Sequence, residues 1–237
     1  MTKLSININK IATLRNARGG NVPNLLQVAS DLQKFGAQGI TIHPRPDERH
    51  IRYQDARDLK SVVYMEYNIE GNPQHNFVDL VLECKPTQVT LVPDAIGAIT
   101  STAGWDTIKN QSYLTEVIQE FQRNGIRTSI FVDPVLEMIE GAKKIGTERI
   151  ELYTEEFAHQ YNLGNINGIE TYVKASVLAN ELNLGINAGH DLSLDNIKFF
   201  KENIPNLLEV SIGHALITEA LYLGFDNVVN MYLNKLK

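Results

Sequence analysis

The stretch GITIHPRPDERH, residues 39–50, begins like a core strand and ends as a charged loop. Gly39 to Ile42 are small, apolar or β-branched, which is the composition of a buried strand. His43, Arg45, Arg49 and His50 then arrive within eight residues, with Asp47 and Glu48 among them. Pro44 and Pro46 restrict the path of the chain through this segment. Ionisable groups packed directly behind a buried strand make sense where the strand's C-terminal end is the place of chemistry. Parallel α/β proteins are built that way.

The same unit recurs along the chain. Short β-rich runs lie at residues 4–9 (LSININ), 39–44, 64–69 (YMEYNI), 88–93 (QVTLVP), 127–133 (RTSIFVD), 149–154 (RIELYT), 184–189 (LGINAG) and 208–215 (LEVSIGHA). Gly, Pro, Asn or Asp closes most of them, as strand ends require. Helical periodicity fills most of the gaps. Leu25, Ala29, Leu32 and Phe35 form one stripe, with Pro23 suited to the first turn and Gly36 to the position after the helix. Residues 112–124, 135–145, 169–182 and a last helix from about Asn227 read the same way, the last with Val228, Val229, Tyr232, Leu233 and Leu236 on one face. Eight strands alternating with helices, at a repeat of about 30 residues, predict a (β/α)₈ TIM barrel with a closed parallel sheet. A doubly wound open sheet is the competitor. The segment after the first strand, NKIATLRNARGG, contains neither GxGxxG nor GxxxxGK[ST]. No linker or low-complexity tract divides residues 1–237, so one domain is expected.

Bulk properties narrow the function class. The chain has 237 residues, 43% hydrophobic and 21% charged, as in an ordinary soluble globular protein. A net charge of −6 argues against general nucleic-acid binding but leaves room for a local anion pocket. Cys84 is the only cysteine, which excludes an internal disulfide and reads as a small buried hydrophobe. No apolar run reaches the ~18 residues of a membrane span, and the N-terminus is too polar for a signal peptide. A cytoplasmic setting is the expectation.

Within a barrel, active-site groups sit at the C-terminal ends of strands and in the loops that follow. Four of the six histidines fall there: His43 and His50 after the second strand, His190 after the seventh and His214 at the eighth. His75 and His159 read as surface residues. Glu70 ends the third strand, and Glu151 lies inside the sixth, where an inward carboxylate is costly unless paired or used. Glu66 reads as solvated or salt-bridged. Arg15, Arg18, Arg45 and Arg49 occupy the first two loops, and their guanidinium forks suit phosphate oxygens. NAGHDL (187–192) and SIGHAL (211–216) each close a strand with Gly-His, a pattern that lets an oxyanion approach the backbone beside a proton-carrying imidazole. A metal reading of His43, His50, His190 and Asp191 is the alternative, although no HxH or HExxH spacing supports it.

Together, NINKIATLRNARGG, GITIHPRPDERHI, IELYT, INAGHDL and SIGHALI resemble the pyridoxine 5′-phosphate synthase family over nearly the whole chain. The resemblance implies a (β/α)₈ barrel in a homo-octamer, with no metal and no organic cofactor. It implies condensation of two phosphorylated small molecules, 1-deoxy-D-xylulose 5-phosphate and 3-amino-2-oxopropyl phosphate, to pyridoxine 5′-phosphate, inorganic phosphate and water. His43 and Glu70 resemble the family's proton acceptors, His190 its proton donor, and Glu151 its transition-state stabiliser. Asn7, Arg18, Gly213 and His214 match positions that hold the amino-ketone phosphate. Arg45, His50 and Thr100 match those that hold the sugar phosphate. The chain departs from the pattern at Asn9 and Lys10, where an acid and an imidazole are common, and at Asp191, where glycine is common. Lys10 can still meet a phosphate. The Asp191 N–H can still donate, provided its carboxylate turns away.

Such a condensation needs several proton transfers near neutral pH, which His and Glu of raised pKa supply. Residues 94–111, which include Thr100, are expected to act as a lid. The competing functions are another sugar-phosphate barrel enzyme, such as an isomerase or a Schiff-base aldolase, and a non-catalytic binding barrel. No strand carries a clearly inward lysine for the aldolase. The binding barrel has no need of His43, Glu70, Glu151 and His190 together.

Overall fold

The computed structural model describes residues 1–94 and 103–237. Its strands β1 (Lys3–Asn7), β2 (Gly39–Ile42), β3 (Glu66–Gly71), β4 (Gln88–Leu91), β5 (Arg127–Val132), β6 (Arg149–Tyr153), β7 (Gly185–Gly189) and β8 (Leu207–Ile212) are parallel and close in chain order. β1 pairs with both β2 and β8, which completes the barrel. Around it run α1 (Asn9–Asn16), α2 (Leu25–Lys34), α3 (Tyr53–Leu59), α4 (His75–Cys84), α5 (Gln111–Arg123), α6 (Leu136–Lys144), α7 (Glu155–Asn162), α8 (Glu170–Glu181), α9 (Ile197–Asn203), α10 (His214–Leu223) and α11 (Phe225–Lys235).

Three local expectations need correction. The first strand stops at Asn7, because the Asn7 side chain accepts the Asn9 N–H at 3.0 Å and turns the chain into α1. Pro23 lies outside α2, whose N-cap is Asn24; the Asn24 side chain accepts the Gln27 N–H at 2.9 Å. Arg15 is not a loop residue. It sits in α1, 2% exposed, and grips both Asp55 oxygens at 2.6 and 2.8 Å and the His50 carbonyl at 3.2 Å. Arg15 thus ties α1 to α3 and fixes the far end of the loop after β2. Arg15→Ala strands Asp55 without its partner and should cost about 3–5 kcal/mol in urea unfolding. A loss below 1 kcal/mol would assign the pair no structural weight.

The core lies mostly between the strands and the helices. Leu4, Ile6, Ile40, Ile42, Ile69, Val89, Leu91, Ile130, Ile150, Leu152, Val210 and Ile212 belong to one large buried apolar cluster with the helix faces. Tyr67 shows the outward direction, its hydroxyl donating to the Ala56 carbonyl of α3 at 2.8 Å. The last helix packs on this same layer through Val228, Val229, Tyr232 and Leu236. Cys84 is part of it too, and burial pushes its thiol up to about 11, as for an inert hydrophobe.

The alternate residues of each strand fill the barrel interior, and there the protein departs from the usual apolar packing of such barrels. Ser5 and Thr41 hydroxyls meet at 2.7 Å, and Thr90 donates to Asn68 at 3.1 Å. Arg149 donates to Asn187 at 3.2 Å. At the floor, Glu66 is buried rather than solvated, pairing with Arg127, with Lys3 at 3.3 Å and with Arg149 at 3.7 Å. The alternation in KLSIN, EYNIEG and RIEL follows from these two environments, an apolar outer face and a largely polar inner one.

Candidate active site

A cavity of about 380 Å³ opens at the C-terminal ends of the strands. Its wall includes Asn7 from β1, Glu70 from β3, Glu151 from β6, His43, Arg45 and His50 from the loop after β2, and His190 and Asp191 after β7. Asn9 and Lys10 enter from the first turn of α1, and Gly213 and His214 from the start of α10. Twelve of the fourteen candidate residues therefore share one cavity. Arg18 does not line it; it stands exposed on the turn after α1. Thr100, with residues 95–102 of the expected lid, lies outside the described residues. The segment from residue 103 onward is anchored, since Trp105 is 8% exposed and donates its backbone N–H to the Phe131 carbonyl at 2.8 Å. His75 and His159 are exposed on helices away from the cavity.

The sequence reasoning missed Asp94, whose position directly after β4 is the same strand-end signal that marks His43. Asp94 Oδ2 lies 2.5 Å from Arg45 Nη2 and 3.7 Å from His43 Nε2. Phe131, Val92 and Tyr153 were missed as well. They form a small apolar cluster separate from the main core, and nothing in an apolar side chain flags it as a cavity wall.

Short contacts orient the ionisable groups. Asn7 Nδ2 donates to Glu70 Oε2 at 3.3 Å, and Glu70 Oε2 lies 4.0 Å from His43 Nδ1. Asn9 Oδ1 accepts the His43 backbone N–H at 2.9 Å. His190 and Asp191 both adopt positive φ, at 82° and 60°, a strained conformation for residues other than glycine. Thr154 holds it, donating its hydroxyl to the Gly189 and His190 carbonyls at 2.7 and 2.5 Å. The Asp191 carboxylate turns to His190 Nδ1 at 3.0 Å, a hydrogen bond that keeps its pKa below the usual carboxylate range. The edge of the Tyr153 ring meets the His190 ring at 5.1 Å between centroids.

The electrostatics follow from burial. Burial pushes the Glu70 carboxyl well above its ordinary range, and the carboxylates of Glu151, Asp94 and Glu209 push it further, against Arg45. Burial also lifts Glu151 to about 7, while His190 and a hydrogen bond from Thr90 pull it back. His43 is held well below the usual imidazole value by burial and by the charges of Arg45, His50 and Arg49. Opposite shifts in neighbouring acids and imidazoles are the mark of an acid–base site. Among the described residues, no three His, Cys, Asp or Glu side chains are grouped to hold a metal.

A family model described as pyridoxal phosphate biosynthesis protein PdxJ matches residues 4–237. Pyridoxine 5′-phosphate synthase of Flavobacterium johnsoniae is 86% identical over 237 residues, covering all of both chains. The chain belongs to the pyridoxine 5′-phosphate synthase family. The protein of that name from Christiangramia forsetii is 66% identical, again over the full length of both. This synthase is accordingly an enzyme of pyridoxine biosynthesis. Solved structures share its fold at low identity. Thiamine phosphate pyrophosphorylase from Pyrococcus furiosus superposes with a TM-score of 0.66 at 12% identity, covering 99% of this chain and 95% of that one. Phosphoribosylanthranilate isomerase from Thermotoga maritima gives 0.62 at 13%, covering 100% and 98%. No helix among the synthase's described residues is long and apolar enough to cross a membrane.

Two features of the synthase site have direct consequences. A Cβ on Gly189 would stand 2.7 Å from Glu151 Oε1 and 2.9 Å from the Ser211 carbonyl, so only glycine leaves the carboxylate in place. His50 Nδ1 accepts the Ile51 N–H at 2.8 Å, which leaves the neutral ring's proton on Nε2. Burial first, then Arg45 and Arg49, lower His50 to about 4. The folded ring therefore refuses a proton that the unfolded chain accepts, and His50 costs stability as pH falls from about 6.5 toward 4. Proton NMR of the ligand-free synthase should show His50 neutral down to about pH 4. A midpoint near 6.5 would contradict this account of the loop.

Proposed function

We propose that the synthase condenses 1-deoxy-D-xylulose 5-phosphate with 3-amino-2-oxopropyl phosphate by general acid–base catalysis. The products are pyridoxine 5′-phosphate, inorganic phosphate and, to balance the atoms, two waters. The observation that carries this reading is the meeting of Glu70, His43, Glu151 and His190 on one cavity that also presents Arg45, Lys10 and the start of α10.

Joining an amine to a ketone expels water, and closing an aromatic ring then requires protons to leave carbon and reach departing oxygens. His43 is neutral near pH 7 and serves as a proton acceptor. Glu70 binds its proton more tightly than an ordinary carboxylate and is a stronger base once ionised. Glu151, near 7, stabilises positive charge when ionised and returns a proton when not. His190, steered by Asp191, donates to the leaving group. Two phosphorylated substrates call for two anion sites. Asn7, Gly213 and His214 would hold the amino-ketone phosphate at the α10 N-terminus, where free N–H groups and the helix dipole favour an anion. Arg18, on its exposed turn, is assigned to the same phosphate through family resemblance alone. Arg45, His50 and Thr100, with Asn9, Lys10 and the Asp191 N–H, would hold the sugar phosphate. Fixing both substrates side by side removes a large entropic part of the barrier. A homo-octamer working in the cytoplasm, without metal or organic cofactor, completes the proposal.

An omission experiment tests it. The purified synthase should release inorganic phosphate when both substrates are present and none from either alone. Release from a single substrate would favour a phosphatase or a phosphate-eliminating lyase instead.

A further inference from the structure

Glu209, on β8, is 1% exposed, and its Oε2 has no hydrogen-bond partner among the described residues. A buried carboxylate in that state is expensive unless something uses it. The ion pairs of the floor do not account for it, since Lys3, Arg127 and Arg149 all pair with Glu66. Strand register places it opposite Lys3 on β1 and opposite Asn187 on β7. Glu151 is opposite Asn187, and Asn187 is opposite Glu209, so three side chains stand in a row across β6, β7 and β8. Asn187 turns its Oδ1 to Arg149, and its Nδ2 is also buried without a partner among the described residues. An unpartnered donor and an unpartnered acceptor thus lie in neighbouring positions of the row that ends in an active-site carboxylate.

We infer that Glu209 is a positioning residue for the reaction, a carboxylate inside the barrel whose charge controls how readily Glu151 and Glu70 give up their protons. The inference rests on the reading that those two residues move protons. Glu209 shares the interior with Lys3 on β1, Glu66 and Glu70 on β3, Arg127 on β5, and Arg149 and Glu151 on β6. Burial pushes Glu209 itself up to about 7; Arg149, Arg127 and Lys3 oppose that, and Glu151 adds to it. Glu209 in turn helps to raise Glu70. Two strand spacings separate Glu209 from Glu151, about 10 Å. Across that distance, at an effective dielectric of about 20, one unit charge moves a titration by about one pH unit.

The test is the pH profile of kcat in Glu209→Gln and Glu209→Asp. The neutral, isosteric Gln should move the limb governed by the active-site carboxylates to lower pH by about one unit, with KM unchanged. Asp keeps the charge and should keep the wild-type limb. A Gln variant with the wild-type limb overturns the proposal, even if kcat or Tm falls, because a purely structural role predicts that pattern. Should the Gln variant not fold, the wild-type protein decides through carbon NMR of labelled glutamate carboxyls. A Glu209 carboxyl that ionises below or within the pH range of the kcat limb supports the proposal, and one still protonated across that whole range overturns it. Failure of the underlying reading looks different: Glu70→Gln would then keep its turnover.

Discussion

Glu70→Gln should lower kcat by about 10²–10⁴-fold while KM for each substrate stays within a few-fold. Gln fills the same space and can still accept from Asn7, so the cavity should keep its shape. What it removes is a proton acceptor 4.0 Å from His43 Nδ1, at the centre of the acid–base group. Stability should move the other way. The folded pKa of Glu70 lies above its unfolded value, so Glu70 favours folding at low pH and that contribution is lost as pH rises. The amide escapes the penalty on the ionised form. The variant's Tm should therefore match or exceed wild type at pH 8 and gain nothing at pH 4. A variant with near-wild-type turnover would remove Glu70 from the chemistry.

Arg45→Ala should mainly weaken binding, raising KM for the sugar phosphate by roughly 10–100-fold, the worth of one or two charge-assisted hydrogen bonds. His43→Ala should instead lose turnover with binding largely kept. Similar behaviour of the two would contradict this division of labour. Part of the Arg45 effect has a second origin. Asp94 sits 2.5 Å from the guanidinium, and without Arg45 its carboxylate faces an incoming phosphate directly. Adding Asp94→Asn to Arg45→Ala should therefore recover part of the lost affinity. A double variant no better than the single would assign the whole effect to the missing guanidinium. Removal of Arg45 also takes away the charge that most opposes protonation of His43 after burial, so the His43 pKa should rise in the single variant.

Much of this architecture was legible in the chain, for physical reasons. Strands with both faces covered announce themselves by β-branched residues, and their ends by Gly, Pro and Asp. That sufficed for all eight strands within a few residues and for the ring they close. The strand-end rule led to His43, Glu70, His190 and His214, because barrel geometry gathers every C-terminal end on one rim. Where reading failed, tertiary contacts overrode local pattern. Arg15 looked like an anion-binding loop residue because the salt bridge that buries it lies forty positions away, at Asp55. The α1 helix was hidden because its buried stripe of Ile11, Ala12 and Arg15 includes a charge. Asp94 was visible by the same rule as His43 but lacked the neighbours that drew attention there. The polar barrel interior was written in the alternation of EYNIEG and RIELY, yet its meaning depends on knowing which face turns inward.

The most direct test is a product measurement with both phosphorylated substrates and a chelator present. Pyridoxine 5′-phosphate and inorganic phosphate should appear together in equal amounts, identified by mass spectrometry and phosphate assay. Folded protein that yields no pyridoxine 5′-phosphate, or that releases phosphate without it, would rule out the condensation.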